Sequence, residues 1–143
     1  MILVDTNVWS VALRRGGGRT PEQAAVVEEL RRLVVEDLPV GIPGAVLQEV
    51  LSGVRHQQQF ERLRRSMGGF PLLLADAEDH IEAARINNRC RSAGVAVTAI
   101  DCLIAAQAVR SEASLWSLDQ DFVRMARHCG VELYSGGAGV VKQ

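Results

Sequence analysis

Five carboxylates in this chain stand where a carboxylate needs a reason. Asp5 closes the apolar run Ile2-Leu3-Val4, and Asp119 closes Leu115-Trp116-Ser117-Leu118, with Asp121 two residues further on. Asp101 lies within Ala99-Ile100-Asp101-Cys102-Leu103-Ile104-Ala105-Ala106, and Glu49 interrupts the helical spacing of Val46, Leu47, Val50 and Leu51. A charge in apolar surroundings is costly unless it is paired or metal-bound. Each acid also has a plainer reading: Asp5, Asp119 or Asp121 as a helix cap, Asp101 completing a capping box with Thr98, Glu49 on a polar helix face. Convergence decides between the two. Three or four carboxylates at one point repel, and a proton or a cation must relieve them. Hard oxygen ligands suit Mg²⁺ or Mn²⁺ rather than zinc. An acid cluster holding such ions is equipped to hydrolyse a phosphodiester. His56, His80 and His128 fall in polar helical contexts and read as surface residues, so no histidine base is required.

The acids can converge only if the right elements carry them. Ile2-Leu3-Val4 is a continuous apolar run typical of a buried parallel strand, and further strands are expected at Pro39–Pro43, Phe70–Leu74, Leu115–Leu118 and Val131–Tyr134. Between them lie helical patterns. The first contains Val8, Trp9, Ala12 and Leu13; the second opens with Thr20 as N-cap, Pro21 at the first position and Gln23 completing a capping box. Others centre on Val46–Leu51, His56–Met67 and Asp76 to about Gly94, then Thr98–Ser111 (apolar almost all round, hence buried) and Phe122–Cys129. Strands alternating with helices give an α/β fold: a five-stranded parallel sheet flanked by helices on both faces. Its functional edge is the carboxyl ends of the strands, where Asp5 and Asp119 both fall. Pro71 suits an edge strand and not a central one.

The chain has 143 residues, one domain's worth, with 48% apolar content and a formal charge of −1. Its apolar runs are shorter than the ~20 residues of a membrane span, and no basic segment or cleavage site precedes Asp5. A membrane-spanning or secreted protein is therefore not expected. Cys90, Cys102 and Cys129 lack C-x-x-C spacing and read as small buried hydrophobes in a reducing cytoplasm. Near-neutral charge means that any nucleic-acid contact must come from local patches. Arg14, Arg15 and Arg19 around Gly16-Gly17-Gly18 form one such candidate and Arg62, Arg64 and Arg65 a second, although a solvated surface is the favoured reading of both, more so of the second.

The segments Asp5-Thr6-Asn7-Val8, Gln48-Glu49-Val50-Leu51-Ser52-Gly53, Ala99 to Ala106 and Leu118-Asp119-Gln120-Asp121-Phe122, in this order, resemble the PIN-domain family, and within it the VapC-type ribonuclease toxins of bacterial toxin–antitoxin pairs. The resemblance spans essentially the whole chain. It implies a PIN-like nuclease domain over residues 1–134 with a flexible tail over 135–143, and a cytoplasmic Mg²⁺- or Mn²⁺-dependent endoribonuclease. By position, Asp5 and Asp101 would be the principal metal ligands, and Glu49 would complete the site directly or through water. Asp119 would be the fourth acid, with Asp121 the alternative. Thr6 and Asn7 would hydrogen-bond Asp5 and approach the scissile phosphate. Arg14, Arg15 and Arg19 would contact RNA. A cognate VapB-type antitoxin and a homodimer are the implied partners.

Other parallel-sheet enzymes fit less well. No G-x-G-x-x-G or P-loop follows any strand; a receiver domain needs a lysine near the last strand, and Lys142 lies beyond it. A haloacid-dehalogenase phosphatase needs an acid where this chain has Asn7. The alternative from another class is a PIN-like module that binds RNA or protein without cutting.

Overall fold

The N-terminal apolar run becomes β1 (Ile2–Val4), and it occupies the centre of the sheet because both its faces must be covered. The computed structural model describes residues 1–14 and 17–136. Helices α1 (Thr6–Leu13) and α2 (Pro21–Val35) lead to β2 (Val40–Pro43), and α3 (Gly44–Leu51) and α4 (Gln57–Met67) lead to β3 (Leu72–Leu73). Helices α5 (Ala77–Ser92) and α6 (Ala99–Arg110) then return the chain to β4 (Ser114–Trp116), and α7 (Gln120–Ala126) precedes β5 (Glu132–Leu133). The strands pair in the order β3-β2-β1-β4-β5, every pair parallel. The sequence-based fold is the observed one.

This order contains a switch point. From β1 the chain steps outward to β2 and β3; it then crosses back to β4 on the other side of β1 and continues to β5. Right-handed crossovers place α1–α4 on one face and α5–α7 on the other. Packing agrees: α1 lies against α2 and α3, α3 against α4, and α5 against α6. The carboxyl ends of β1 and β4 therefore diverge into connections on opposite faces, and a crevice opens between them. Their register (Val4 opposite Trp116) brings Asp5 level with Ser117.

Local signals explain the elements. Thr20 accepts from the Gln23 N–H while the Gln23 side chain accepts from the Thr20 N–H, and Asp76 and Asp79 make the same reciprocal pair at the start of α5. Gly41 in the buried β2 is closely packed: a Cβ there would stand 2.8 Å from the Met1 sulfur and 2.9 Å from Leu73 Cδ1, so the ends of those side chains would have to shift. The core runs from Leu3, Val4 and Ile42 through Leu115 and Trp116 to Ile104 and Phe122. Cys90, Cys102 and Cys129 are buried free thiols, as expected.

Several boundaries differ from the sequence reading. β3 is two residues long instead of five, with Pro71 before it bonding β2 only through its carbonyl; as that proline suggested, it is an edge strand. β4 ends at Trp116, not Leu118, because Ser117 leaves the ladder to bond Asp5. β5 is confined to Glu132–Leu133, and α7 stops at Ala126 rather than Cys129. The expected tail falls mostly on residues 137–143, outside the described residues. No helix among the described residues is long and apolar enough to cross a membrane.

Candidate active site

Asp5 is where the crevice begins. Its N–H extends the sheet by bonding the Trp116 carbonyl at 2.9 Å, and its side chain caps α1, with Oδ1 accepting from the Thr6 N–H at 2.8 Å. The residue is only 6% exposed. Oδ2 accepts from the Ser117 hydroxyl at 2.7 Å and from Asn7 Nδ2 at 3.3 Å. Burial pushes the Asp5 carboxyl above its usual range; the Ser117 and Thr6 bonds oppose this, and the Asp119 charge adds to it.

Ser117 is the hub of this corner. Its oxygen accepts from Asn7 Nδ2 at 3.1 Å and from the Asp119 N–H at 3.1 Å. A hydroxyl has one proton and two lone pairs; with both pairs taken by N–H donors, its proton is committed to Asp5. That wiring favours the ionised Asp5. Asn7 completes it by accepting from the Leu118 N–H at 3.0 Å, tying the start of α1 to the turn after β4. The Thr6 hydroxyl is buried with no hydrogen-bond partner among the described residues.

Three further acids gather beside Asp5. Asp119 is the N-cap of α7, its Oδ1 accepting from the Asp121 N–H at 2.9 Å. Asp101 stands in the first turn of α6, its N–H donating to the Thr98 hydroxyl oxygen at 3.1 Å. One carboxylate oxygen each from Asp101, Asp119 and Asp121 lie within 4.8 Å of one another. The Asp101 carboxyl is pushed up to about 6, first by burial and then by the charges of Asp5, Asp119 and Asp121, against the Thr98 hydrogen bond. Caps and cluster thus overlap: α1, α6 and α7 all begin here, with Asp5 and Asp119 as N-caps and Asp101 and Asp121 in first turns, and the unsatisfied N–H ends ease the crowding of negative charge. The plainer reading of Asp5 and Asp119 as caps is correct without excluding chemistry.

Other positions named from the sequence lie elsewhere. Glu49 is exposed on α3, which packs against α1, and does not belong to the 4.8 Å group. Arg14 and Arg19 are exposed but turned onto their own loop: Arg14 donates to the Gln23 side chain at 3.1 Å, and Arg19 to the Arg14 carbonyl at 2.9 Å. Arg15 lies outside the described residues. His56 and His80 are exposed and His128 half-buried, and none joins the acids. Two residues at the crevice escape sequence reasoning. Ser117 sits within an apparently continuous apolar run, although a serine two residues before a capping aspartate is a turn signal. Arg124, one turn after Asp121, donates to Asp121 Oδ1 at 2.6 Å.

As a donor set, the cluster offers only hard carboxylate oxygens, more than one of them crowded and under repulsion. That fits Mg²⁺ or Mn²⁺ and does not fit a thiolate- or imidazole-selecting metal.

The chain matches the family model of the PIN domain over residues 2–128. It is 37% identical over 129 residues to the ribonuclease VapC11 of Mycobacterium tuberculosis, a match covering 89% of this chain and 92% of that protein. The same figures hold for the VapC ribonuclease Mb1587 of Mycobacterium bovis. Among solved structures, FitAcB from Neisseria gonorrhoeae superposes with a TM-score of 0.75 at 26% identity, over 94% of this chain and 96% of that one. VapBC2 from Rickettsia felis, bound to a DNA fragment from its promoter, superposes at 0.74 and 18% identity, over 94% and 98%.

Proposed function

This chain belongs to the PIN domain family, and from that premise we propose that it is a Mg²⁺- or Mn²⁺-dependent endoribonuclease, the toxin of a toxin–antitoxin pair. The observation that carries the reading is the meeting of Asp101, Asp119 and Asp121, oxygens within 4.8 Å, beside the buried Asp5 at the switch point of the sheet. Relatives named as VapC ribonucleases over nine-tenths of the chain supply the reaction class.

Asp101, Asp119 and Asp121 would hold the metal, with Asp5 beside them and Glu49 reaching in from α3 directly or through water. When bound, such an ion supplies a nucleophile from water at neutral pH and stabilises charge on the scissile phosphate and the leaving oxygen. The protein's own residues do the rest. Ser117 and Asn7 fix Asp5 in orientation, and the Ser117 bond favours its ionised form against burial. Thr6 contributes its N–H, which holds Asp5 Oδ1 at 2.8 Å. The acids of α6 and α7 are held by short turns of backbone, so the site is preorganised rather than assembled on binding. Residues 1–134 form the nuclease unit in this reading. The substrate is a cytoplasmic RNA, transfer or ribosomal, and the partners are a VapB-type antitoxin and a second copy of the chain. Arg14, Arg15 and Arg19 contribute at most peripheral phosphate contacts.

The test is incubation of purified, antitoxin-free protein with total cellular RNA, with Mg²⁺ or Mn²⁺ and with EDTA. Discrete metal-dependent fragments are expected. A folded protein that binds the ion yet cuts neither total RNA nor purified transfer and ribosomal RNA would favour the non-cutting module.

A further inference from the structure

Among the described residues, Arg124 is the one cation within ion-pair distance of any of Asp5, Asp101, Asp119 or Asp121. Its guanidinium donates to Asp121 Oδ1 at 2.6 Å, and 58% of its side chain is exposed. Of the five N–H donors that a guanidinium offers in a planar fork, this bond uses one; no other hydrogen bond from the Arg124 side chain is present among the described residues. An exposed i,i+3 pair contributes little to stability, so the contact is a poor reason by itself to keep an arginine there. Asp121, in contrast, shares the 4.8 Å group with Asp101 and Asp119, so the cation stands at the rim of the site.

Resting on the ribonuclease reading above, we infer that Arg124 is the positioning residue that receives a phosphate of the RNA beside the acid cluster. Without substrate, Arg124 neutralises Asp121. Asp121 would be among the residues that hold a divalent cation, and a bound ion would supply that neutralisation and weaken the hold of Asp121 on the guanidinium. The free N–H edge of Arg124 would then be open to a non-bridging phosphate oxygen of the RNA. Arginine suits this because its fork binds phosphate bidentately and its charge does not titrate. The same exchange lets a near-neutral protein hold a polyanion next to its own carboxylates.

The experiment compares wild type with Arg124→Gln and Arg124→Lys. One readout is cleavage of a short single-stranded RNA in Mn²⁺. The second is fluorescence anisotropy of the same RNA bound to protein with Asp101 intact in Ca²⁺, a hard-oxygen ion that fills carboxylate sites while cleavage is slow, as a function of salt. Arg124→Gln is expected to raise KM and the dissociation constant about tenfold. The slope of log K against log salt should fall by about 0.7, the value of one phosphate contact on a single strand. Arg124→Lys should keep the salt slope and recover part of the affinity. A folded Arg124→Gln protein with unchanged KM and unchanged salt slope overturns the inference, as does a loss of affinity that leaves the slope intact. Wild type that binds and cuts no RNA removes the ribonuclease reading and this inference together; wild type that cuts, with variants that bind equally well, removes only the inference.

Discussion

The Ser117 hydroxyl donates to Asp5 Oδ2 at 2.7 Å, across 112 residues of sequence, and both of its lone pairs are taken by N–H groups of Asn7 and Asp119. One side chain thereby fixes the acid at the end of β1 to the acid that begins α7. The stitch joins two neighbouring strands at the crevice.

Removing the stitch should therefore impair metal binding more than folding. Ser117→Ala leaves Asp5 buried with one donor fewer, and its carboxyl moves further above the usual range. We expect Mn²⁺ affinity and cleavage rate to fall about 10–100-fold, as for other residues that orient metal ligands, with Ser117→Thr recovering part of both. Isothermal titration calorimetry and initial rates measure this.

Neutralising Asp101 should abolish cleavage yet stabilise the metal-free fold. Its carboxyl sits at about 6 against an ordinary value of 3.8, so burial and repulsion outweigh the Thr98 bond. The sign follows by linkage. Between those two values the folded state holds the extra proton, so the contribution of Asp101 to stability is complete below about 4 and lost as pH rises through about 6. For a half-exposed group the relief is worth about 1 kcal/mol after screening, or roughly 2–4 °C in Tm. Asp101→Asn should melt higher than metal-free wild type at pH 7.5, and the difference should vanish near pH 4.

Membership of the cluster separates the remaining acids. Asp119→Asn removes a member of the 4.8 Å group, whereas Glu49→Gln alters an exposed side chain on the neighbouring helix. Loss of Mn²⁺ affinity should be tenfold or more for the first and only a few-fold for the second. Equal losses would mean that Glu49 is a direct ligand.

Far from the acids, Tyr134 donates to the buried Glu29, which Arg32 also binds at 2.8 Å, clamping α2 to the end of β5. Tyr134→Phe removes a bond to a charged acceptor and should cost about 1.5–3 kcal/mol in urea denaturation, with the cleavage rate of the folded protein unchanged.

How much of this was legible in the sequence depended on whether the signal was local. The strand order's central element, Ile2-Leu3-Val4, the capping box at Thr20 and the helix start at Asp76 are local patterns, and they appear where the sequence places them. The meeting of β1 and β4 followed from topology. The hub role of Ser117 did not, because its partners are 110 and 112 residues away and its neighbours look like strand. The Glu29–Tyr134 clamp spans 105 residues for the same reason. For Arg14 and Arg19, residue type suggests a nucleic-acid contact but not their local role, in which the side chains bond Gln23 and the Arg14 carbonyl.

The most direct test of the central claim is the rate of RNA cleavage against Mn²⁺ concentration, for wild type and Asp101→Asn, each stripped with EDTA and shown to be folded. A saturable rise for wild type and a flat baseline for Asp101→Asn is the result expected of a metal site at these acids. Cleavage that survives EDTA, or that Asp101→Asn sustains with the same Mn²⁺ dependence, would contradict it.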